Sequence, residues 1–217
     1  MYLALPPAAP APGIVLLPPV FGIEPVIRAL AERYAARGFT VVVPNQFRRD
    51  AEPGTMERTE AGRARAMARA QRVDVDTIVD DLRTTIAELR AMPECNGNVA
   101  VLGFCFGGRY AFLAAARLDV QAAGAFHPTL IGASLADAPS VRAPLSLHFG
   151  AEDPVAPMSE VDAIEAALRE KPGAGVFVYP GATHSFAVPG VPGYDAAVAA
   201  LAEERVFALF DTLKQTG

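Results

Sequence analysis

Residues that titrate or react near neutral pH are scarce in this chain: three histidines and two cysteines among 217 residues. Two cysteines cannot build the multi-bridge framework of a small secreted fold. A lone bridge in a reducing compartment is not expected either, so Cys95 and Cys105 are both read as free thiols. A basic excess is also missing. Nineteen Lys and Arg against 24 Asp and Glu give a formal net charge of −5, which offers no electrostatic reason to expect nucleic acid or an anionic membrane as partner. No run approaches the roughly 20 apolar residues that span a bilayer. The opening Met1-Tyr2-Leu3-Ala4-Leu5-Pro6-Pro7-Ala8 has no basic stretch and is broken by proline, unlike a secretory leader, so a cytoplasmic location is expected.

What is present is apolar sequence, 52% hydrophobic against 20% charged, enough for one sizeable core and one α/β domain over residues 1–217. Apolar runs at Ile14 to Leu17, Phe39 to Val43, Val99 to Leu102, Leu145 to Phe149 and Val176 to Tyr179 read as strands, with a weaker one at Ala122 to Phe126. Between them, helical stripes recur: Ile27, Leu30, Ala31, Tyr34 and Ala35, then Val75 to Leu89, then Val161, Ile164 and Leu168. Tyr194 to Lys214 reads as a closing helix. Such alternation predicts a mostly parallel sheet with helices on both faces and a ligand site at the carboxyl ends of the strands.

One turn carries the chemistry. Gly103-Phe104-Cys105-Phe106-Gly107-Gly108 follows an apolar strand and opens an amphipathic helix, Tyr110 to Arg117, as the nucleophile elbow G-x-S-x-G does, with cysteine in place of serine. A helix N-terminus favours an anion and so a thiolate. A thiol nucleophile needs a base, and the base needs an orienting group. His148 lies inside an apolar strand and reads as a core residue. His127, at the end of the weak strand and before Pro128, either lines a pocket or is a turn residue. His184 sits in the loop Gly181-Ala182-Thr183-His184-Ser185-Phe186 after the last strand, where a base belongs. Asp153, in Gly150-Ala151-Glu152-Asp153-Pro154-Val155, is the carboxylate at the end of the preceding strand, with Glu152 as its neighbour and competitor. The chain order nucleophile, acid, histidine is that of the α/β hydrolases.

These three motifs and their separations resemble the dienelactone hydrolase family, and the similarity runs from about Ile14 to the C-terminal helix. The resemblance implies an α/β-hydrolase fold and a Cys105-Asp153-His184 triad that opens a lactone or small ester through an acyl-thioester, without metal or cofactor. It also implies an oxyanion hole from the N–H groups of Phe106 and Val20, Pro18 and Pro19 having none to give. Two positions depart from the family. Pro19 stands where a glutamate contacts the resting thiol, and Val188 stands where one of two carboxylate-binding arginines belongs. The other arginine corresponds to Arg63, in a basic segment, Arg58 to Arg72, that otherwise reads as a solvated helix face. Glu24 reads as a carboxylate favouring a helix N-terminus. With Val188 beside Phe186 as pocket residues, a less charged or more hydrophobic ester is expected. A general carboxylesterase or thioesterase, and a non-catalytic ligand-binding homologue, are the alternatives; a monomer or small homo-oligomer is expected.

Overall fold

Strands that are apolar at every position, rather than at alternate ones, need cover on both faces. Four strands here are buried throughout: β2 (Ala11–Leu17), β3 (Thr40–Val43), β5 (Ala122–Phe126) and β6 (Leu145–Gly150). In the computed structural model, which describes residues 1–215, they join β1 (Tyr2–Ala4), β4 (Cys95–Phe104) and β7 (Ala174–Tyr179) in a seven-stranded sheet of order β1-β3-β2-β4-β5-β6-β7. Every pairing is parallel except that of β1 with β3.

Helices α1 (Pro25–Ala36) and α6 (Ala196–Phe210) cover one face with Ile27, Leu30, Tyr34, Val206 and Phe207. Helices α3 (Val75–Arg90), α4 (Phe106–Arg117) and α5 (Met158–Leu168) cover the other with Ile78, Leu82, Phe112, Val161 and Ile164. Side chains set several boundaries: Asp74 caps α3 by accepting from the Thr77 N–H, and Asp195 caps α6 by accepting from Ala197 and Val198. Helix α2 (Glu60–Arg72) starts at Thr59, whose hydroxyl accepts from Gly62. No helix among the described residues is long and apolar enough to cross a membrane.

All six strands expected from the sequence are present. The edge strand β1 was not expected. It has three residues and pairs Tyr2 with Val43, Leu3 with Val42 and Ala4 with Val41. That is too short for a period-2 pattern to register, and only its contact with β3 makes it a strand.

Candidate active site

Five adjacent parallel strands deliver their following loops to one edge of the sheet. Residues Pro18 to Val20 follow β2, Cys105 follows β4, His127 follows β5, Asp153 follows β6 and His184 follows β7. Four non-glycine residues among those described have positive φ, namely Cys105, His127, Leu130 and Ser185, and all four lie in these loops. Strain of this kind persists only where surrounding contacts fix it. At Cys105 (φ 52°, ψ −116°) they do: its N–H donates to Phe126 O at 3.1 Å, and its carbonyl accepts from Gly108 and Thr129. The sharp turn also needs room. A Cβ on Gly107 would overlap the Leu17 carbonyl, with the Leu17 carbonyl carbon at 2.7 Å.

Cys105 Sγ is 3.2 Å from His184 Nε2, and His184 Nδ1 is 2.7 Å from Asp153 Oδ2. The Asp153 side chain is fully buried, and its other oxygen accepts from the Val155 N–H at 2.8 Å, so it can turn only one oxygen to the imidazole. The acid and base loops are stitched together by main chain: Ala151 donates to Tyr179 O and Glu152 to Ala182 O. Glu152 therefore spends its backbone on the loop while Asp153 faces His184. Burial, the largest influence on His184, disfavours its charge, but the hydrogen bonds and charges of Asp153 and Cys105 together outweigh burial and lift its pKa to about 9. An imidazole protonated at neutral pH is the counter-charge a thiolate requires.

The two expected oxyanion donors emerge from paired strand ends, Leu17 lying opposite Gly103. Phe106 is the first residue of α4, where an N–H has no partner within the helix. The Val20 N–H belongs to a planar peptide whose other end, Pro19 O, accepts from Gly22 N at 2.9 Å, and this fixes the N–H in the opposite direction. A cavity of about 330 Å³ lined by Leu17, Pro44, Gln46, Ile78 and Leu82 lies elsewhere; neither Cys105, Asp153 nor His184 borders it.

A model of the dienelactone hydrolase family matches residues 1–214. The chain belongs to that family. It is 34% identical to a carboxymethylenebutenolidase of Pseudomonas putida over 202 residues, 92% of this chain and 85% of that one. To carboxymethylenebutenolidase 1 of Cupriavidus pinatubonensis it is 30% identical over 214 residues, 98% and 91% of the two chains. The crystal structure of a candidate dienelactone hydrolase from Klebsiella pneumoniae superposes with a TM-score of 0.87 at 25% identity, covering 97% of this chain and 91% of that one. As a member of the family the protein is a hydrolase with the α/β-hydrolase fold.

Within that family frame, the residues expected around the substrate need correction. Val188 is 1% exposed and packed in the core with α6, so it presents no wall to a ligand. Phe186 is equally buried, its ring edge-on to His127 at 5.6 Å; it backs the site rather than lining it. Arg63 is exposed on α2. The basic segment is not one solvated face: Arg58 precedes α2, and Arg69 is wholly buried. The Arg69 guanidinium lies over Phe47 and donates to the carbonyls of Glu52, Gly54 and, at 2.8 Å, Val20, so it pins the expected oxyanion loop. Glu24 caps nothing with its side chain; both carboxylate oxygens take hydrogen bonds from Arg58 at 2.6 and 2.8 Å. Neither role was legible in the sequence, because the partners lie 34 and 49 residues away.

The remaining histidines are buried. His148 is satisfied as a core residue, by Ser146 Oγ at Nε2 and Tyr179 Oη at Nδ1, both at 2.8 Å. Burial, aided by the charge of Arg205, drives its pKa down to about 3. His127 lies 4.9 Å from His184, ring centroid to centroid, and burial first, then the charge of His184, holds its pKa well below the usual value. Unfolded, both would protonate near pH 6.5; folded, both refuse the proton. Their stabilisation is therefore complete above about pH 6.5 and is lost as pH falls below it, by about 1.4 kcal/mol per pH unit for each histidine. Urea unfolding at pH 7, 6 and 5 should show this fall, and His148→Phe should shallow it; a pH-independent unfolding free energy would count against both assignments.

Proposed function

We propose that this protein hydrolyses a lactone or small carboxylic ester, with Cys105 as nucleophile, His184 as base and Asp153 as the group that orients His184. The observation that carries the reading is the hydrogen-bonded chain from Cys105 Sγ through both nitrogens of His184 to Asp153 Oδ2, set at a strained strand-to-helix turn. The thiolate attacks the carbonyl carbon, and the oxyanion is met by the N–H groups of Phe106 and Val20. The carbon–oxygen bond breaks to give an acyl-thioester. An enol lactone suits this step because its leaving group is a stabilised enolate, which takes its proton from His184 without demanding a strong acid. His184, now neutral, removes a proton from water, which attacks the thioester and regenerates the thiol.

An uncharged or weakly charged substrate is favoured because Arg58, whose charge is felt at His127, is already engaged by both oxygens of Glu24. A substrate carboxylate would have to compete with that pair. Arg63, on the exposed face of α2, remains the proposed contact to the rest of the ligand, whereas His127 is as buried as Phe186 and is set against Cys105 and His184. The free thiols Cys95 and Cys105 support an intracellular setting, and we read the protein as a monomer or small homo-oligomer that needs no cofactor.

The test is a panel of enol lactones, p-nitrophenyl acetate and an acyl thioester. Lactone turnover with the highest kcat/KM is expected. Equal or better turnover of the simple ester would favour a general carboxylesterase or thioesterase. Alkylation separates both from a silent ligand-binding homologue. Cys95 is buried and burial pushes its pKa up. Iodoacetamide at pH 7 should therefore modify Cys105, the less buried thiol with His184 Nε2 at 3.2 Å, clearly faster than Cys95. Equal rates by mass spectrometry would remove the activated nucleophile.

A further inference from the structure

The reaction above uses His184 and leaves His127 without a chemical task. His127 is fully buried, and neither of its ring nitrogens has a hydrogen-bond partner among the described residues. That is the exception for a buried polar group, and His148, one strand away, shows the ordinary solution with both nitrogens bonded. The position of His127 is also enforced. Its backbone is held at φ 40° while its N–H donates to His148 O at 2.8 Å.

The unpartnered imidazole faces a thiol and a second imidazole. The ligand atoms of Cys105, His127 and His184 all lie within 4.8 Å of one another, and Sγ is 3.2 Å from His184 Nε2. An ion bound by thiolate at about 2.3 Å and by imidazoles at about 2.0–2.1 Å, at tetrahedral angles, sets its ligand atoms roughly 3.3–3.6 Å apart. The three donors bracket that spacing, so small side-chain rotations suffice. One sulfur and two nitrogens, with no carboxylate among them, select a soft or borderline ion over Ca²⁺ or Mg²⁺. The outer shell matches as well. His184 holds its other nitrogen 2.7 Å from Asp153, the carboxylate partner that metal-bound histidines usually have.

We propose that Cys105, His127 and His184 form a chelating site for a zinc-class divalent cation, whose binding shuts off hydrolysis by occupying the nucleophile and the base together. Binding displaces the one proton shared by Cys105 and His184 to solvent and changes no oxidation state, and water fills the fourth position. The ion is an inhibitor in this site, distinct from any part in turnover, and the proposal stands or falls on binding rather than on which ester is cleaved.

The experiment titrates the full chain with Zn²⁺ against a chromophoric chelator and, separately, with Co²⁺ as a spectroscopic probe. One Zn²⁺ per chain is expected, together with a thiolate-to-Co²⁺ charge-transfer band in the near ultraviolet that Cys105→Ser abolishes. His127→Phe, which keeps an aromatic ring in the buried space, should weaken Zn²⁺ binding at least as much as loss of an outer-shell partner does, roughly 10–100-fold. His127→Gln serves as a second variant should the phenylalanine fail to fold. Unchanged Zn²⁺ affinity in the folded His127 variants, or a Co²⁺ complex without the charge-transfer band, would overturn the site. Zn²⁺ binding that meets these criteria in a protein that cleaves no ester would leave the site standing and remove the functional reading instead.

Discussion

Cys105→Ala is expected to lower kcat/KM for the best substrate by roughly 10⁴-fold or more, while the urea midpoint moves little. The size follows from what the side chain does in the proposed reaction. Without sulfur no acyl-enzyme forms, and the remaining rate is whatever the Phe106 and Val20 N–H groups and substrate positioning give to direct attack by water. His184→Ala should fall to a similar level, because a thiol 3.2 Å from its base is activated only by that base. The double variant should then be no worse than either single one, since residues that act as a unit are not additive. Asp153→Asn tests the third position. The fully buried carboxylate accepts from Val155 as well as facing His184, so an amide there keeps the size but presents the wrong group to Nδ1. A comparable loss is expected. Initial rates on the substrate panel, with chemical denaturation of each variant, measure all of this. Turnover within tenfold of the parent in Cys105→Ala would end the nucleophile assignment.

Local pattern made most of the frame legible. β4, the elbow and α4 are contiguous in sequence, so an apolar run, a glycine turn and a helical stripe sufficed to read them. Asp153 and His184 were found because each follows a strand that the same patterns mark, and only a few loop positions remain once the strands are known. The legible part ends where function depends on contacts between distant segments. Arg69 looks like one of several surface arginines on a helix; only the fold brings the carbonyls of Val20, Glu52 and Gly54 around it. Val188 is expected at the pocket only because the resemblance puts a carboxylate-binding arginine at its position, but after the turn at Ser185 it packs into the core with α6. Glu24 does stand at the N-terminus of α1, as its position in sequence implies, but its partner Arg58 is supplied by another loop and was not legible.

Gly107→Ala should damage both the stability and the rate of the protein. In the folded protein the new Cβ would overlap the Leu17 carbonyl and lie 2.7 Å from its carbon and 2.8 Å from Leu17 Cβ. Those are mostly main-chain atoms of a central strand, β2, which is paired on both sides, so no rotamer change relieves the contact. Overpacking of a core costs about 1–3 kcal/mol where side chains can shift; against fixed backbone the upper end or more is expected, about 3 kcal/mol. For a chain of this length that corresponds to a fall in Tm of about 6–12 °C. The damage is also directional. Helix α4 can escape only by moving away from the end of β2, which separates Phe106 from Val20, the two proposed oxyanion donors. Activity measured well below the new Tm should therefore fall by more than the folded fraction explains, and it should fall in kcat more than in KM, since the donors act on charge that develops after binding. Gly54→Ala is the control. A Cβ there meets nothing within 4 Å, and stability is expected to stay within about 0.5 kcal/mol of the parent. Equal thermal stability of the two variants would show that α4 does not press on β2. A Gly107→Ala protein with lowered Tm but unchanged kcat would show that the spacing of the two N–H groups does not govern the rate.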